Sequence, residues 1–319
     1  MVKKFVYGTP FETEAVVKEI PSSEGNPDYG TFSTENGFSF TTKLADDDMV
    51  FGLGEANRGI NKRGFLYISD CADDPNHVES KTSLYAAHNF IIISGKTHVG
   101  FFFDYPGTLR FDIGYTTSDT MTVSCENADL YVYMITGDSD LDIVKQFRGI
   151  IGRSYIAPKF AFGYGQSRWG YKTEDDFRTV VKKYRENHVP LDMVYMDIDY
   201  MQDYKDFTVN EERFPDFEGF VQDMKKEKIH LVPIIDAGVK VEEGYDIYEE
   251  GCEKGYFCRR EDGSYFEATV WPGWTHFPDV LNADARKWFG DKYDVLVSKG
   301  IDAFWNDTVS YTHLTLPTT

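Results

Sequence analysis

The spacing of apolar residues changes once along the chain, near Gly137, and this change limits the fold more than any other feature of the sequence. Before it, from about residue 30 to about residue 135, apolar and polar residues alternate with the period of two that is typical of half-buried strands. Turn residues such as Asn36-Gly37 separate the runs, so the pattern predicts an antiparallel β-sandwich. The clearest runs are Val99/Phe101/Phe103, Phe111/Ile113/Tyr115, Met121/Val123/Cys125 and Leu130/Val132/Met134.

The segment after Gly137 predicts a helix that links two domains. Ser139-Asp140-Leu141-Asp142 resembles an N-terminal capping box. One side of the predicted helix carries Leu141, Val144, Phe147 and Ile151. We expect a β-sandwich domain over residues 1–137 and this linking helix over residues 138–157.

Beyond Pro158, short apolar runs alternate with amphipathic helical patterns. Consecutive βα units of this length indicate a parallel sheet, either doubly wound or a (β/α)8 barrel. A closed barrel of this kind has eight strands, so about four strands predict an incomplete barrel. We place it over residues 158–307, with strands at 160–165, 193–197, 231–236 and 301–307.

The residues at the end of the chain differ in composition from the rest. Residues 308–319 contain five threonines and neither glycine nor a charged side chain. We expect this tail to be non-native sequence in place of the true continuation, the alternative being a genuine short C-terminal tail.

The charge balance excludes two classes of partner. Asp and Glu outnumber Lys and Arg by 53 to 33, which gives a net charge of -20. This charge repels nucleic acid and anionic membrane surfaces. The N-terminal residues include lysines but no long apolar core, and no run reaches the length of a membrane span, so we expect a cytoplasmic protein.

Polar or aromatic residues follow each predicted barrel strand. Arg168-Trp169 follows the first strand, Asp197 and Asp199 the second, Asp236 the third and Asp307 the fourth. In parallel α/β folds the carboxyl ends of strands form the site. A single aspartate there is often a helix cap or turn residue, but polar or aromatic residues at all four strand ends favour a functional site.

Two of these segments suggest carbohydrate chemistry. Asp307 ends an apolar strand, and a glycosidase needs one ionised carboxylate for attack on the anomeric carbon and one carboxylic acid for the leaving oxygen. Asp197-Ile198-Asp199 would put both carboxylates on one face of an extended strand. This pair fits a metal-binding motif of glycosyltransferases, recognition of sugar hydroxyls, or a structural loop cap.

Three tryptophans lie beside loop residues, namely Trp169, Trp271 and Trp274. Aromatic faces cover the apolar face of a sugar ring, while carboxylates and Arg168 would bind its hydroxyls. The alternative for each tryptophan is a place in the hydrophobic core.

Taken together, these segments resemble glycoside hydrolase family 31, and the resemblance extends up to Asp307. It rests on seven segments, namely Phe51-Gly52-Leu53-Gly54-Glu55, Gln166-Ser167-Arg168-Trp169-Gly170-Tyr171, Pro190-Leu191-Asp192, Asp197-Ile198-Asp199-Tyr200-Met201, Asp206-Phe207-Thr208, Val270-Trp271-Pro272-Gly273 and Phe277-Pro278-Asp279.

The resemblance implies a galactose-mutarotase-like N-terminal sandwich followed by a (β/α)8 catalytic barrel. It also implies the activity of a retaining, exo-acting α-glycosidase that hydrolyses terminal α-linked glucose from oligosaccharides. Such an enzyme needs no metal or organic cofactor. The resemblance implies Asp307 as the nucleophile and Asp197 as the group that binds hydroxyls of the reacting sugar. The other residues that we predict to bind substrate are Arg168, Trp169, Asp236, Val239, Trp271 and, from a loop of the sandwich, Asp70.

The resemblance stops after Asp307, where Thr308-Val309-Ser310 replaces the expected Met-Asn-Glu. The family's acid/base aspartate lies downstream, so we expect little activity from this chain. The alternatives are a non-catalytic carbohydrate-binding protein and a metal-dependent glycosyltransferase. The sequence predicts neither the preferred linkage nor the oligomeric state.

Overall fold

The computed structural model describes residues 1–25, 27–71, 76–84 and 86–307. Contacts divide the chain into two compact units, one over Met1–Ser154 and one that begins at Tyr155. The tail predicted to be non-native lies outside the described residues. No helix within the described ranges has the length and apolar character needed to span a membrane.

The first unit is a β-sandwich, as the period of two predicts. In chain order its strands are β1 (Val2–Tyr7), β2 (Thr31–Ser33), β3 (Phe38–Lys43), β4 (Met49–Gly52), β5 (Phe65–Ser69), β6 (Phe90–Ser94), β7 (His98–Asp104), β8 (Leu109–Ile113), β9 (Thr120–Cys125) and β10 (Leu130–Gly137). One sheet has the strand order β1-β10-β7-β6-β4 and the other β2-β3-β9-β8-β5, and neighbouring strands are antiparallel. Buried residues of both sheets form one hydrophobic core.

Alternation along the strands sets which side chains enter this core. Val99, Phe101 and Phe103 of β7 are all buried, and the ring of Phe101 lies 4.7 Å from that of Phe40 in the opposite sheet. Tyr115 is the exception among the predicted runs, because β8 ends at Ile113 and leaves this tyrosine 63% exposed.

Helix α1 (Asp140–Ile151) packs on the first unit, and Ser139 caps it by accepting a hydrogen bond from the Asp142 N–H. The predicted apolar face was wrong at its start, since Leu141 is 63% exposed. Ile143 and Ile150 are buried instead, and the ring of Phe147 stacks on Phe90 at 3.9 Å. The stripe that meets the sheet therefore runs through residues 143, 147 and 150, which follow helical spacing.

The second unit contains two sheets. In chain order their strands are β11 (Gly165–Gln166), β12 (Met193–Met196), β13 (His230–Asp236), β14 (Val239–Lys240), β15 (Glu267–Val270), β16 (Gly273–His276) and β17 (Trp305–Asp307). One sheet is parallel with the order β11-β12-β13-β17, and this confirms the incomplete barrel. The other, β14-β16-β15, is antiparallel and was not predicted. The helices are α2 (Glu174–Glu186), α3 (Phe217–Lys226), α4 (Asp246–Lys254), α5 (Ala283–Lys292) and α6 (Asp294–Val297).

The first barrel strand is much shorter than predicted. Instead of a strand over residues 160–165, a 3-10 turn covers Lys159–Phe162. The Ala161 N–H donates to the Pro158 carbonyl and the Gly163 N–H donates to the Phe160 carbonyl. Because these N–H groups already have partners within the turn, they do not form hydrogen bonds to a neighbouring strand. Only the two residues of β11 pair with β12.

Helices α2 and α3 cover the parallel sheet with the apolar faces that the sequence predicts. Phe177 and Val181 of α2 are buried. Phe217, Phe220 and Val221 of α3 are buried with them in the core of the second unit.

Candidate active site

Three strands of the parallel sheet lead to carboxyl groups at the same edge. Asp197 follows β12, Asp236 ends β13 and Asp307 ends β17. The parallel register makes the Cα atoms of Asp236 and Asp307 direct partners. Because parallel strands point the same way, their carboxyl ends gather these groups at one edge.

Asp197 is half-buried, and its Oδ1 accepts a hydrogen bond of 2.8 Å from the Ile198 N–H. Burial raises the pKa of Asp197 above its usual range, the Ile198 N–H opposes this, and the negative charges of Asp199 and Asp307 raise the pKa further. The carboxyls of Asp197 and Asp307 are therefore near enough for their charges to interact.

Asp199 does not share a face with Asp197, contrary to the prediction from an extended strand. Residues Ile198–Tyr200 form a 3-10 turn, so the spacing of two no longer places the side chains together. Asp199 is 2% exposed, and Arg213 Nη1 lies 3.5 Å from its Oδ1 and donates to its backbone oxygen at 2.8 Å. This ion pair gives Asp199 a structural partner, which weakens the reading of the pair as a metal-binding motif.

Asp236 and Val239 are enclosed by protein. Asp236 is 2% exposed and Val239 is fully buried. Val239 lies in β14, and its register partner in β16 is His276. Their predicted contact with substrate stays a prediction, since neither side chain reaches an open surface in this structure.

The two tryptophans predicted to line the pocket lie close together. The rings of Trp169 and Trp271 have centroids 5.9 Å apart at an angle of 39°, and both side chains are more than half exposed. Trp169 lies in the loop after β11, and Trp271 lies in the turn between β15 and β16, where Gly273 has a φ of +104° that favours glycine. Arg168, beside Trp169, is exposed.

Asp307 is half-buried, and its carboxylate has no hydrogen-bond or ion-pair partner in the ranges that the structure describes. The strand before it is held by neighbours, since Trp305 meets the ring of Tyr195 edge-on at 6.1 Å and Asn306 accepts a hydrogen bond from the Tyr293 hydroxyl. This strand thus presents a carboxylate that has no hydrogen-bond or ion-pair partner among the residues described up to position 307.

Asp70 belongs to the first unit, directly after β5. It is half-buried, and its backbone N–H donates to the Ile68 carbonyl at 3.1 Å. Its predicted reach over a pocket of the second unit stays a prediction.

Asp206 is a buried acid that the sequence did not single out as a site residue. It is 1% exposed, and its Oδ1 accepts a hydrogen bond of 3.1 Å from the Asp236 N–H. Its place in the Asp206-Phe207-Thr208 segment gave no sign of burial, because its surroundings come from β13 and from Tyr245, far along the chain. Among the described residues, no cluster of three or more His, Cys, Asp or Glu side chains has the arrangement of a metal site.

Two family descriptions match the chain. The TIM-barrel domain of glycosyl hydrolases family 31 matches residues 154–318, and the N-terminal galactose mutarotase-like domain of glycosyl hydrolase 31 matches residues 11–112.

Individual relatives agree with this match. The chain is 36% identical over 270 residues to α-glucosidase 2 of Bacillus thermoamyloliquefaciens, and the matched region covers 83% of this chain and 34% of that protein. It is 27% identical over 311 residues to the α-glucosidase of Saccharolobus solfataricus, which covers 96% of this chain and 45% of that protein. The chain thus spans less than half the length of these relatives.

A solved structure shares the fold. The GH31 dextranase of Flavobacterium johnsoniae, complexed with glucose, superposes with a TM-score of 0.78 at 23% identity over 86% of this chain and 34% of that one.

Proposed function

The chain belongs to glycosyl hydrolase family 31, and from this membership we propose that the protein acts as a retaining, exo-acting α-glycosidase on terminal α-linked glucose of oligosaccharides. The observation that carries the proposal is the placement of Asp307. It is a half-buried carboxylate at the end of β17, beside Asp236 and near enough to Asp197 for their charges to interact. The names of the relatives, which are α-glucosidases, support the same substrate class.

In this mechanism the Asp307 carboxylate attacks the anomeric carbon while a second carboxyl protonates the departing glycosidic oxygen. A β-linked glycosyl-enzyme forms. Water, deprotonated by the second carboxyl, then releases the sugar with its α configuration restored. Asp197 would accept hydrogen bonds from sugar hydroxyls, and Trp169 and Trp271 would cover the apolar face of the sugar.

We assign the role of proton donor to none of the described residues. The family resemblance expects the donor downstream of Asp307, where Thr308-Val309-Ser310 already replaces the expected Met-Asn-Glu. Since proton donation contributes about 10²- to 10⁴-fold to the rate, the 319-residue chain should hydrolyse an aryl α-glucoside slower than a full-length relative by about that factor. Equal turnover by the two proteins would contradict this assignment.

Covalent labelling tests the nucleophile without the proton donor. In 5-fluoro-α-D-glucosyl fluoride the leaving fluoride departs without protonation, and the ring fluorine slows hydrolysis of the glycosyl-enzyme. We expect peptide mass spectrometry to find the sugar ester on Asp307. Asp307→Asn should abolish labelling, whereas the control Asp302→Asn, which changes an aspartate that pairs with His230 at 3.0 Å, should keep it. A label on another residue, or none, would refute the proposed nucleophile.

The exposed Trp169–Trp271 pair also supports a second candidate, a protein that binds sugar without chemistry. In that case titration with glucose would show binding that Trp169→Ala weakens, and the fluoro sugar would leave Asp307 unlabelled. Labelling of Asp307 would exclude this candidate.

A further inference from the structure

Asp206 is a buried carboxyl that the proposed mechanism does not use. It lies in the turn after the 3-10 segment Gln202–Tyr204, and it is 1% exposed. The turn is firmly packed, since the ring of Phe207 meets those of Phe289 at 5.0 Å and Tyr293 at 5.2 Å. Burying a charged carboxylate this deeply is costly unless it is paired and hydrogen-bonded or takes up a proton.

The contacts of Asp206 connect it to the strand end that carries the site. Its Oδ1 accepts from the Asp236 N–H at 3.1 Å, and its backbone oxygen accepts from the Tyr245 hydroxyl at 2.8 Å. Asp236 is the register partner of Asp307. One hydrogen bond therefore joins the Asp206 side chain to the backbone at the last pair of β13 and β17.

We propose that Asp206 is a positioning residue for Asp307, holding the carboxyl end of β13 so that β17 presents Asp307 at a fixed place. The proposal rests on the proposed function, because it takes Asp307 as the reacting carboxylate. Asp206 acts through the backbone of Asp236 and has no contact with substrate in this role.

The surroundings of the Asp206 carboxyl favour its neutral, protonated form. Among the residues that the structure describes, the titratable groups that face it are Asp236, Tyr200, Tyr245 and Tyr293, none of which is a cation. The neighbouring Lys205 instead pairs with Glu242 at 2.7 Å. Burial, and next the negative charge of Asp236, raises the pKa of Asp206 well above its usual range. A protonated carboxyl still accepts through its carbonyl oxygen, so the bond from the Asp236 N–H does not need the charge.

Two substitutions of similar volume separate the hydrogen bond from the charge. Asp206→Asn keeps an acceptor oxygen and is neutral, whereas Asp206→Leu removes the acceptor. With the fluoro sugar described above, we expect Asp206→Asn to keep the maximal labelling rate of Asp307 within about threefold. Asp206→Leu should lower it about 10- to 100-fold, with a smaller change in the half-saturating sugar concentration, because a misplaced nucleophile slows the chemical step more than binding.

The infrared spectrum gives a readout that does not depend on labelling or on the leucine variant. The difference spectrum between the wild-type chain and Asp206→Asn at neutral pH should show the carbonyl stretch of a protonated carboxyl. A carboxylate band in its place would overturn the neutral assignment.

The possible failures are distinguishable. If wild-type Asp307 is not labelled, the proposed function fails and the positioning role fails with it. If the wild type is labelled and Asp206→Leu is labelled at the same rate, or Asp206→Asn is as slow as Asp206→Leu, only the positioning role is overturned.

Discussion

The first unit distributes the carboxyl ends of its strands over two edges of each sheet, whereas the parallel sheet of the second unit gathers them at one. Neighbouring strands of the sandwich are antiparallel, so carboxyl ends such as Asp104 of β7 have no acidic register partner at the same edge. In the parallel sheet, Asp236 and Asp307 end neighbouring strands at the same edge and are register partners. The comparison shows how strand direction affects whether single polar residues at strand ends stay apart or come together at one edge.

The largest effect on stability should come from the sandwich core. Phe101→Ala removes a fully buried ring that contacts Phe40 at 4.7 Å, and it should lower the free energy of unfolding by about 3–5 kcal/mol. The control Phe65→Ala, at a side chain 38% exposed on the edge strand β5, should cost much less. Urea unfolding followed by circular dichroism measures both. Equal losses of unfolding free energy in the two variants would mean that burial predicted from the alternation does not determine which side chains stabilise the first unit.

An intermediate effect should come from the helix caps, which differ between the units. Thr173 and Asp176 at the start of α2 bond reciprocally, while Ser139 of α1 accepts a hydrogen bond from the Asp142 N–H at 3.2 Å and receives no such bond in return. Thr173→Ala should therefore cost about 1 kcal/mol and Ser139→Ala less. Thermal unfolding of the two variants tests the order, and a larger loss for Ser139→Ala would contradict it.

The smallest effect should appear as a pH dependence of the buried carboxyl in the first unit. Burial raises the pKa of Asp104 above its usual 3.8, although the Thr13 hydroxyl donates to its Oδ1 at 2.6 Å. Because the folded state then holds the proton more tightly than the unfolded state, this group costs stability as the pH rises from 3.8 through the raised value. Asp104→Asn should thus gain stability over the wild type at neutral pH but not in acid, as urea unfolding at both pH values would show.

The exposed Asp119 offers a control, because its pKa is shifted in the opposite direction to that of Asp104. Its hydrogen bond from Lys43 lowers its pKa, so its contribution is present above the usual value and is lost as the pH falls through the lowered one. Asp119→Asn should therefore lose stability at neutral pH relative to acid. The same direction of change in both variants would contradict the role of burial at Asp104.

The sequence predicted those features of the fold that depend on local patterns. Alternation identified Val99, Phe101 and Phe103 as core, and helical spacing identified the face of α3. The sequence-based prediction failed where a tertiary contact or a local turn determines the structure. The face of α1 shifts to Ile143 because that side meets the sheet, and backbone hydrogen bonds within residues 158–163 replace most of the first barrel strand.

The candidate site divides in the same way. Strand ends pointed to Asp197, Asp236 and Asp307, which the parallel register then collects at one edge. Sequence reasoning missed Asp206, since its burial depends on residues 30 and more positions away. Sequence reasoning also predicted that Asp199 lies on the same face as Asp197. This was wrong because three residues do not show whether a segment forms a strand or a 3-10 turn.

The paired indoles at Trp169 and Trp271 give the protein an intrinsic optical reporter. Each ring is carried by a different loop, so the separation of 5.9 Å depends on how both loops are anchored. Since both rings are largely open to water, a ligand that covers them should change the wavelength and intensity of tryptophan emission. This pair would then contribute a ligand-sensitive part of the emission, added to that of Trp274, Trp288 and Trp305, without any attached dye.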